Sequence, residues 1–336
     1  MKLPINFDYL IAEIGGNHEG NVDWALNMIS DAAKAGANAV KFQSYSAKEL
    51  VNPKIDKVRF DHFDKFVLNP SEWKLLKNKA KDCNIDFLTS IWDIKNFKEI
   101  LFEMPIIKVG SGDLTNYMYL REFALTNKPI IISTAMATLS EVIDAVSFIQ
   151  KINSIYESND MLCIMHCVAM YGDPKDEYAN LNSISVLQSH FPNLNIGYSD
   201  HTIGFDAMLS AKSMGVNIFE FHFTFDKSRD FRDHHISLTK EELIKFKNKI
   251  NKINTFNGQL VVAPIKEIET PQRIQEFRRA CYFNRKMNKG ELVSLEDIVV
   301  LRPNVGLSAT KYFDLIGKKL VKDIEALSPI SIDLFI

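Results

Sequence analysis

Short runs of apolar, often β-branched residues alternate along this chain with longer stretches in which apolar positions recur every three or four residues. The runs are YLIAEI (9–14), AVKFQ (39–43), DFLTS (86–90), IIKVG (106–110), IIIS (130–133), LCIMH (162–166), NIGYS (195–199) and NIFEF (217–221). Their length and composition predict strands. Between them lie VDWALNMISDAAKAG, PSEWKLLKNKAKDC, LSEVIDAVSFIQ and FDAMLSAKSMG, which carry helical periodicity. Gly36 and Gly215 fall at predicted helix ends, where a left-handed cap is wanted. Strand–helix alternation is the pattern of βαβ units and a parallel sheet. Eight such repeats predict an α/β fold, a (β/α)₈ TIM barrel, although a doubly wound sheet gives a similar count.

The rhythm changes after the helical stretch TKEELIKFKNKINKIN. The pattern assigns residues 1–255 to the barrel and 256–280, with the charged stretch KEIETPQRIQEFRR, to a linker. Residues 281–336 read as short strands and turns, a small β-rich domain: CYFNRKMNKGELVSLEDIVVLRPNVGL, then LIGKKLVKDIEALSPIS.

Composition narrows the function. The 336 residues suit a barrel with an appendage, and 46% hydrophobic with 24% charged residues is ordinary for a packed core. A net charge of −2 without a basic stripe argues against nucleic acid. No apolar run approaches the ~18 residues of a membrane span. The first residues, MKLPINFDYLIAEIGG, lack a basic segment followed by an apolar one, so no signal peptide is read and a cytoplasmic location is expected. Four cysteines (Cys83, Cys163, Cys167, Cys281) then read as reduced, buried thiols. A zinc site at Cys163 and Cys167 is the alternative to core packing.

Polar residues close every predicted strand at its C-terminal end, where barrel enzymes keep their working groups. They include Asn17, His18 and Glu19 after the first strand, Lys41 and Gln43 on the second, and Thr89 and Ser90 on the third. The fourth strand brings Lys108, Ser111 and Asp113, the fifth Ser133, and the sixth His166 with Tyr171 beyond it. Ser199 and His201 follow the seventh, Glu220 and His222 the eighth. Taken singly, a strand-end Ser is usually a helix cap and a lone His a structural residue. Together, two lysines leaving core strands must meet an anion or a carboxylate, because unpaired burial is costly. With nearby hydroxyls and the amides of Gly110-Ser111-Gly112 they form a cradle for phosphate or carboxylate. His201 and His222 leave consecutive strands and suit a first-row divalent ion, and Glu19 is a candidate acid/base.

At these residues the chain resembles the sialic acid (N-acetylneuraminate) synthase family. The matching stretches are AEIGGNHEG, AGANAVKFQ, IIKVGSGDLTN, KPIIISTAMAT, HCVAMYGDP, GYSDHTIG and FEFHFT, and the tail resembles the family's antifreeze-like (SAF) domain. The resemblance implies a TIM barrel joined to a small β-clip domain, in a domain-swapped homodimer. It implies condensation of phosphoenolpyruvate with an open-chain N-acyl hexosamine, N-acetylmannosamine first, to give N-acetylneuraminate and phosphate. A divalent metal is implied, Mn²⁺ before Mg²⁺ or Co²⁺, held by His201 and His222. Lys41, Lys108, Ser111, Ser199 and Thr89 or Ser90 match phosphoenolpyruvate contacts, and Ser133 is a further substrate-binding candidate. Glu19, Gln43, Asp113, Tyr171 and Asp233 match the sugar side, and Arg302 an arginine reaching the N-acyl group from the partner's tail. The chain departs from the family at Ala169 (usually Asn or Ser), Ser90-Ile91-Trp92, Phe231-Arg232-Asp233-His234 and Arg302-Pro303-Asn304. These departures bear on the sugar more than on the reaction. A legionaminate or pseudaminate synthase using a 6-deoxy-diacetamido hexose is therefore an alternative. A condensing enzyme acting on a sugar phosphate and a carbohydrate-binding antifreeze-like protein are further ones.

Overall fold

The computed structural model describes residues 2–4, 6–230 and 233–336. Its chain divides into two compact units, Met1–Gly258 and Gln259–Ile336.

In the first unit eight parallel strands form one sheet: β1 (Tyr9–Glu13), β2 (Ala39–Ser44), β3 (Asp86–Ile91), β4 (Ile107–Val109), β5 (Ile130–Ser133), β6 (Leu162–Cys167), β7 (Asn195–Asp200) and β8 (Ile218–His222). The order is β3-β2-β1-β8-β7-β6-β5-β4, and β3 packs against β4 to close the ring. This is the TIM barrel that the strand–helix alternation predicted. The expected helices are Val22–Ala35, Pro70–Asp82, Leu139–Ile152, Asp206–Ser213 and Lys240–Asn257. Three of them begin with reciprocal caps: Asn69 with Glu72, Thr138 with Glu141 and Thr239 with Glu242. Gly36 takes the left-handed cap at φ 90°, and a side chain there would collide with Lys247. The loop after β2 is the long excursion, carrying short helices Ala47–Leu50 and Lys57–Asp64.

Period two along each strand sorts the core into two layers. Leu10, Ala12, Val40, Phe42, Ile130, Ile132, Phe219 and Phe221 face the helices. The other parity fills the barrel with Tyr9, Ile11, Ala39, Leu88, Ile106, Ile131, Cys163, Met165 and Ile218. Gly197 stands in this plug because a Cβ there would lie 2.9 Å from the Ile218 carbonyl oxygen and 3.0 Å from Met165. Packing this dense tolerates no added methyl.

The second unit has a core of its own, including Cys281, Phe283, Met287, Ile298, Leu320 and Ile330. Its antiparallel strands β9 (Ala280–Phe283) and β10 (Ile298–Leu301) pair with Phe283 opposite Ile298. Isolated bridges and 3₁₀ turns complete it. The segment 256–280, expected as a linker, holds the last two residues of the helix Lys240–Asn257 and a short helix, Pro271–Phe277, capped by Thr270. All four cysteines are free thiols. No helix among the described residues is long and apolar enough to cross a membrane.

Candidate active site

Two residues beyond the apolar plug, every strand turns polar on the same inward face. Ile11 gives way to Glu13, Ala39 to Lys41, Leu88 to Ser90, Ile106 to Lys108 and Ile131 to Ser133. Met165 gives way to Cys167, Gly197 to Ser199 and Ile218 to Glu220. The strands thereby deliver a charged layer to the C-terminal mouth, and each of these side chains is buried.

Lys41 Nζ lies 2.7 Å from Glu13 Oε2 and 3.8 Å from Glu220 Oε2, and it reaches Ser90 Oγ at 3.4 Å. Lys108 Nζ lies 3.4 Å from Glu220 Oε1 and donates to Ser133 Oγ at 2.7 Å. Ser199 Oγ donates to Glu220 Oε1 at 3.1 Å, and Gln43 Nε2 to Glu13 Oε1 at 3.0 Å. Glu220 is thus bridged by both ammonium groups. Burial pushes its carboxyl up, but Lys108, Lys41 and the two histidines outweigh burial and hold its pKa well below the usual range. Glu13 goes the other way. Burial dominates, the charge of Glu220 adds to it, and the pull of Lys41 leaves the pKa raised to about 7. Two carboxyls in one cluster therefore sit on opposite sides of their ordinary value, the arrangement that separates an acid/base group from a fixed charge. Lys41 stays protonated, since Glu13 and Glu220 overcome its desolvation; for Lys108 desolvation wins and the pKa falls.

Above this layer the rings of His201 and His222 lie 5.0 Å apart, centroid to centroid, and Tyr171 meets His201 edge-on at 5.4 Å. Cys167 Sγ is 3.7 Å from His201 Nδ1. Burial disfavours charge on His201, yet Cys167, Asp200 and Glu220 raise its pKa to about 9. A field that favours a proton there equally favours a cation. No group of three or more His, Cys, Asp or Glu side chains converges on a metal position among the described residues. Two imidazoles in a negative field fit an ion whose remaining positions are filled by substrate or water.

Glu19 stands apart from the charged layer. Its backbone is left-handed at φ 48°. Arg229 holds its carboxylate in a fork at 2.8 and 3.1 Å, and His234 Nε2 lies 3.1 Å away. These bonds, the one to Arg229 first, keep its pKa below the usual value. Arg229 also stacks on Trp24 at 4.2 Å. Glu19 is therefore a fixed carboxylate with an acceptor's chemistry.

The remaining candidates divide by strand parity and loop. Ser90 joins Lys41, whereas Thr89 faces the other way and bonds the Ser90 carbonyl at 3.2 Å. Ser111 Oγ accepts from Ala135 N at 3.0 Å. Asp113 meets Asn116 at 3.4 Å and also bonds Trp92; desolvation raises its pKa. Asp233 is buried, and its carbonyl accepts from Ser237 at 2.6 Å. Its predicted neighbours Phe231 and Arg232 lie outside the described residues. Arg302 belongs to the second unit, where its guanidinium stacks on Phe277 at 5.5 Å. His166 turns outward, bonding the Ala179 carbonyl at 2.8 Å and stacking on Tyr198. A roomier cleft of about 780 Å³, rich in asparagine, lies at the opposite, N-terminal end of the strands and contains none of these groups.

Sequence reasoning missed Glu13, Arg229 and His234 as site residues, and named Glu220 only as a strand end. Parity was the available signal for Glu13: it is the third inward residue after Tyr9 and Ile11. Arg229 and His234 lie in a loop that carries no periodic signal.

Residues 28–261 match the NeuB family, and residues 278–336 match the SAF domain. The chain is 34% identical over 328 residues to the N,N'-diacetyllegionaminic acid synthase of Campylobacter jejuni, covering 94% of this chain and 96% of that one. It is 33% identical over 362 residues to the N-acetylneuraminate-9-phosphate synthase of Drosophila melanogaster, covering 96% and 94%. The crystal structure of the N-acetylneuraminic acid synthetase from Leptospira borgpetersenii, a citrate complex, superposes with a TM-score of 0.73 at 31% identity, over 81% of this chain and 96% of that one. The charged barrel mouth, the family match over most of the chain and relatives that are acid synthases agree: this chain belongs to the NeuB family, as an enzyme of the sialic acid synthase type with a C-terminal SAF domain.

Proposed function

We propose that the chain joins C3 of phosphoenolpyruvate to the aldehyde carbon of an open-chain N-acyl hexosamine, releasing phosphate and a nonulosonic acid. N-acetylmannosamine, giving N-acetylneuraminate, is the simplest member of that substrate class. The observation that carries the reading is the pair of buried ammonium groups, Lys41 and Lys108, bridged by Glu220 at the barrel mouth. A phosphate or carboxylate entering there meets two desolvated cations with hydroxyl donors from Ser90, Ser133 and Ser199 beside them. Charge-assisted bonds in such a site hold the enol ester in one pose, and positioning supplies much of the rate.

Attack by C3 leaves positive charge at C2, and water adds there. The tetrahedral intermediate then loses phosphate by C–O cleavage, while the aldehyde oxygen takes up a proton. Glu13 is the better candidate for that proton transfer than Glu19, because burial keeps a proton on Glu13 near neutral pH and Arg229 keeps Glu19 ionised. Glu19 then orients the sugar by accepting from a hydroxyl or amide. His201 and His222 would hold a divalent ion, Mn²⁺ first, which when bound supplies Lewis-acid polarisation of the aldehyde. Exhaustive chelation should abolish turnover and Mn²⁺ restore it; a chelated His201→Ala/His222→Ala protein with full activity would remove the metal from the scheme.

The proposal extends to a homodimer in which Arg302 reaches the N-acyl group bound in the partner's barrel. Leu260, Val261, Val262, Ile265 and Ile268 expose a run of apolar surface that calls for cover, which supports an obligate assembly. Arg302→Ala should raise the sugar KM and leave that of phosphoenolpyruvate nearly unchanged. Heterodimers of Arg302→Ala and His222→Ala chains should regain one intact site, and no recovery would confine Arg302 to its own chain. Phosphate release from phosphoenolpyruvate across a panel of N-acyl hexosamines tests the reaction itself. With ¹⁸O in the bridging C–O of phosphoenolpyruvate, label retained by the sugar acid would refute C–O cleavage.

A further inference from the structure

Cys167 is a member of the charged layer that the reaction scheme leaves unused. It is the last residue of β6 and stands in register with Ser199 on β7. Both side chains are buried. Period two puts the next inward position of the neighbouring strand's chain at His201, one step nearer the mouth. The ring of His201 accordingly sits against the sulfur, with Nδ1 3.7 Å from Sγ. Cys163 takes no part. It belongs to the apolar plug, and Met165 stands between the two cysteines on the inward face of the strand.

The nitrogen that faces the sulfur decides what the other one can do. A neutral imidazole carries one proton, and the nitrogen that binds a cation must be the bare one. The second nitrogen then holds the proton and, when buried, needs an acceptor. Metal-bound histidines usually find it in a carboxylate, a carbonyl or water, and that bond fixes both tautomer and ring orientation. Here the neighbouring carboxylates are engaged elsewhere. Asp200 accepts from Tyr198 Oη and Thr202 N at 2.9 Å each, and from Thr202 Oγ1 at 3.2 Å. Glu220 takes Ser199 and the two ammonium groups. The acceptor set against Nδ1 is the sulfur, and Nε2 is the nitrogen left to present a lone pair.

We propose that Cys167 is a positioning residue for His201: its sulfur accepts the Nδ1 proton and so commits Nε2 to the divalent ion. The inference rests on the metal part of the reading above, in which His201 and His222 hold that ion. It adds that the sulfur stays off the ion and acts through the imidazole alone.

The test measures Mn²⁺ binding by the full-length protein, read from the electron paramagnetic resonance signal of the free ion during titration. Loss of such an acceptor typically costs about tenfold to a hundredfold in metal affinity, so Cys167→Ala should weaken Mn²⁺ by that order. Cys167→Ser also removes the sulfur but keeps an acceptor, and it should recover most of the loss. Circular dichroism and the denaturant midpoint check that both variants are folded. Co²⁺ replaces Mn²⁺ in a second measurement, and its spectrum should show no sulfur-to-cobalt charge-transfer band. Such a band, present in the unaltered protein and absent from Cys167→Ala, would put the sulfur on the ion and overturn the positioning role. Mn²⁺ affinity unchanged in Cys167→Ala, or equally weakened in Cys167→Ser, would overturn it too and leave the His201 and His222 site standing. An unaltered protein that binds no Mn²⁺ would overturn the metal reading and this inference together.

Discussion

The inside of the barrel holds two layers built from the same strands, on the same face, two residues apart. Ile11, Ala39, Leu88, Ile106, Ile131, Met165, Gly197 and Ile218 make a dry plug, while Glu13, Lys41, Ser90, Lys108, Ser133, Cys167, Ser199 and Glu220 make a charged layer on top of it. The backbone is shared, so the difference lies in side chains alone. Apolar burial in the plug stabilises the ring and keeps water from beneath the charges. The charges gain from that, because ion pairs and hydrogen bonds strengthen where water is excluded. They also cost stability, because each buried ion depends on its partner. One layer holds the fold together, and the other draws on that stability to keep charges out of water.

Substitutions can break this contrast, and the largest effect is expected at Glu13. General acid–base groups contribute about a hundredfold to ten-thousandfold, so Glu13→Gln should lower kcat by that order. With a pKa of about 7 and its proton delivered to the aldehyde oxygen, kcat/KM of the unaltered protein should fall as pH rises through 7, and the variant should lose that limb. The stability profile follows the same group. The folded state holds the proton more tightly than the unfolded state, whose carboxyl titrates near 4.5. Stability from this group is therefore fully present below about 4.5 and is lost as pH climbs to about 7. Denaturant midpoints across that window should decline more steeply for the unaltered protein than for Glu13→Gln. An unchanged pH profile in the variant would return the proton-transfer role to another residue.

Lys108→Met comes next. Loss of a charge-assisted contact to the anion should cost about tenfold to a hundredfold in kcat/KM, read mainly in the KM for phosphoenolpyruvate. It should also destabilise by about 3–5 kcal/mol, because of its two ammonium partners Glu220 then keeps the more distant, Lys41, beside the hydrogen bond from Ser199. The double variant Lys108→Met/Glu220→Gln should recover most of the stability and none of the activity. Recovery of both would mean that the pair is structural.

These layers were only partly legible in the sequence. Strand runs and helical periods are local, so the eight strands and five of the helices could be placed from pattern, and Lys41 and Lys108 stood out as charges leaving apolar runs. Glu13 was hidden because YLIAEI reads as one apolar strand, and only its parity with Tyr9 and Ile11 marks it as inward. The contrast between Glu13 and Glu19 depends on which cation each meets. Arg229 comes to Glu19 from more than two hundred residues along the chain, a distance no spacing rule spans. The apolar cluster of Tyr45, Ala47, Phe63 and Trp92 draws on short helices, Ala47–Leu50 and Lys57–Asp64, too brief to show a period. Such features are set by tertiary contact, and sequence pattern carries them weakly.

The smallest expected effect is the sharpest test of whether the two layers are independent. Ile11 is fully buried in the plug, aligned with Ala39 on one side and Glu220 on the other, and lies two residues below Glu13. Ile11→Val removes one methylene, and such a deletion costs about 0.5–1.5 kcal/mol when the surroundings relax only in part. A passive plug would show that loss in the denaturant midpoint, with kcat/KM within about twofold of the unaltered protein, since twofold in rate is only about 0.4 kcal/mol. A coupled plug would behave differently. The small void would let Glu13 or Glu220 settle, the separation of their pKa values would narrow, and the pH limb near 7 would move along with the rate. Measuring the midpoint and the pH–rate profile on the same preparation separates these outcomes. A shift in the limb beyond what the stability loss explains would show that the apolar layer tunes the charged one instead of merely carrying it.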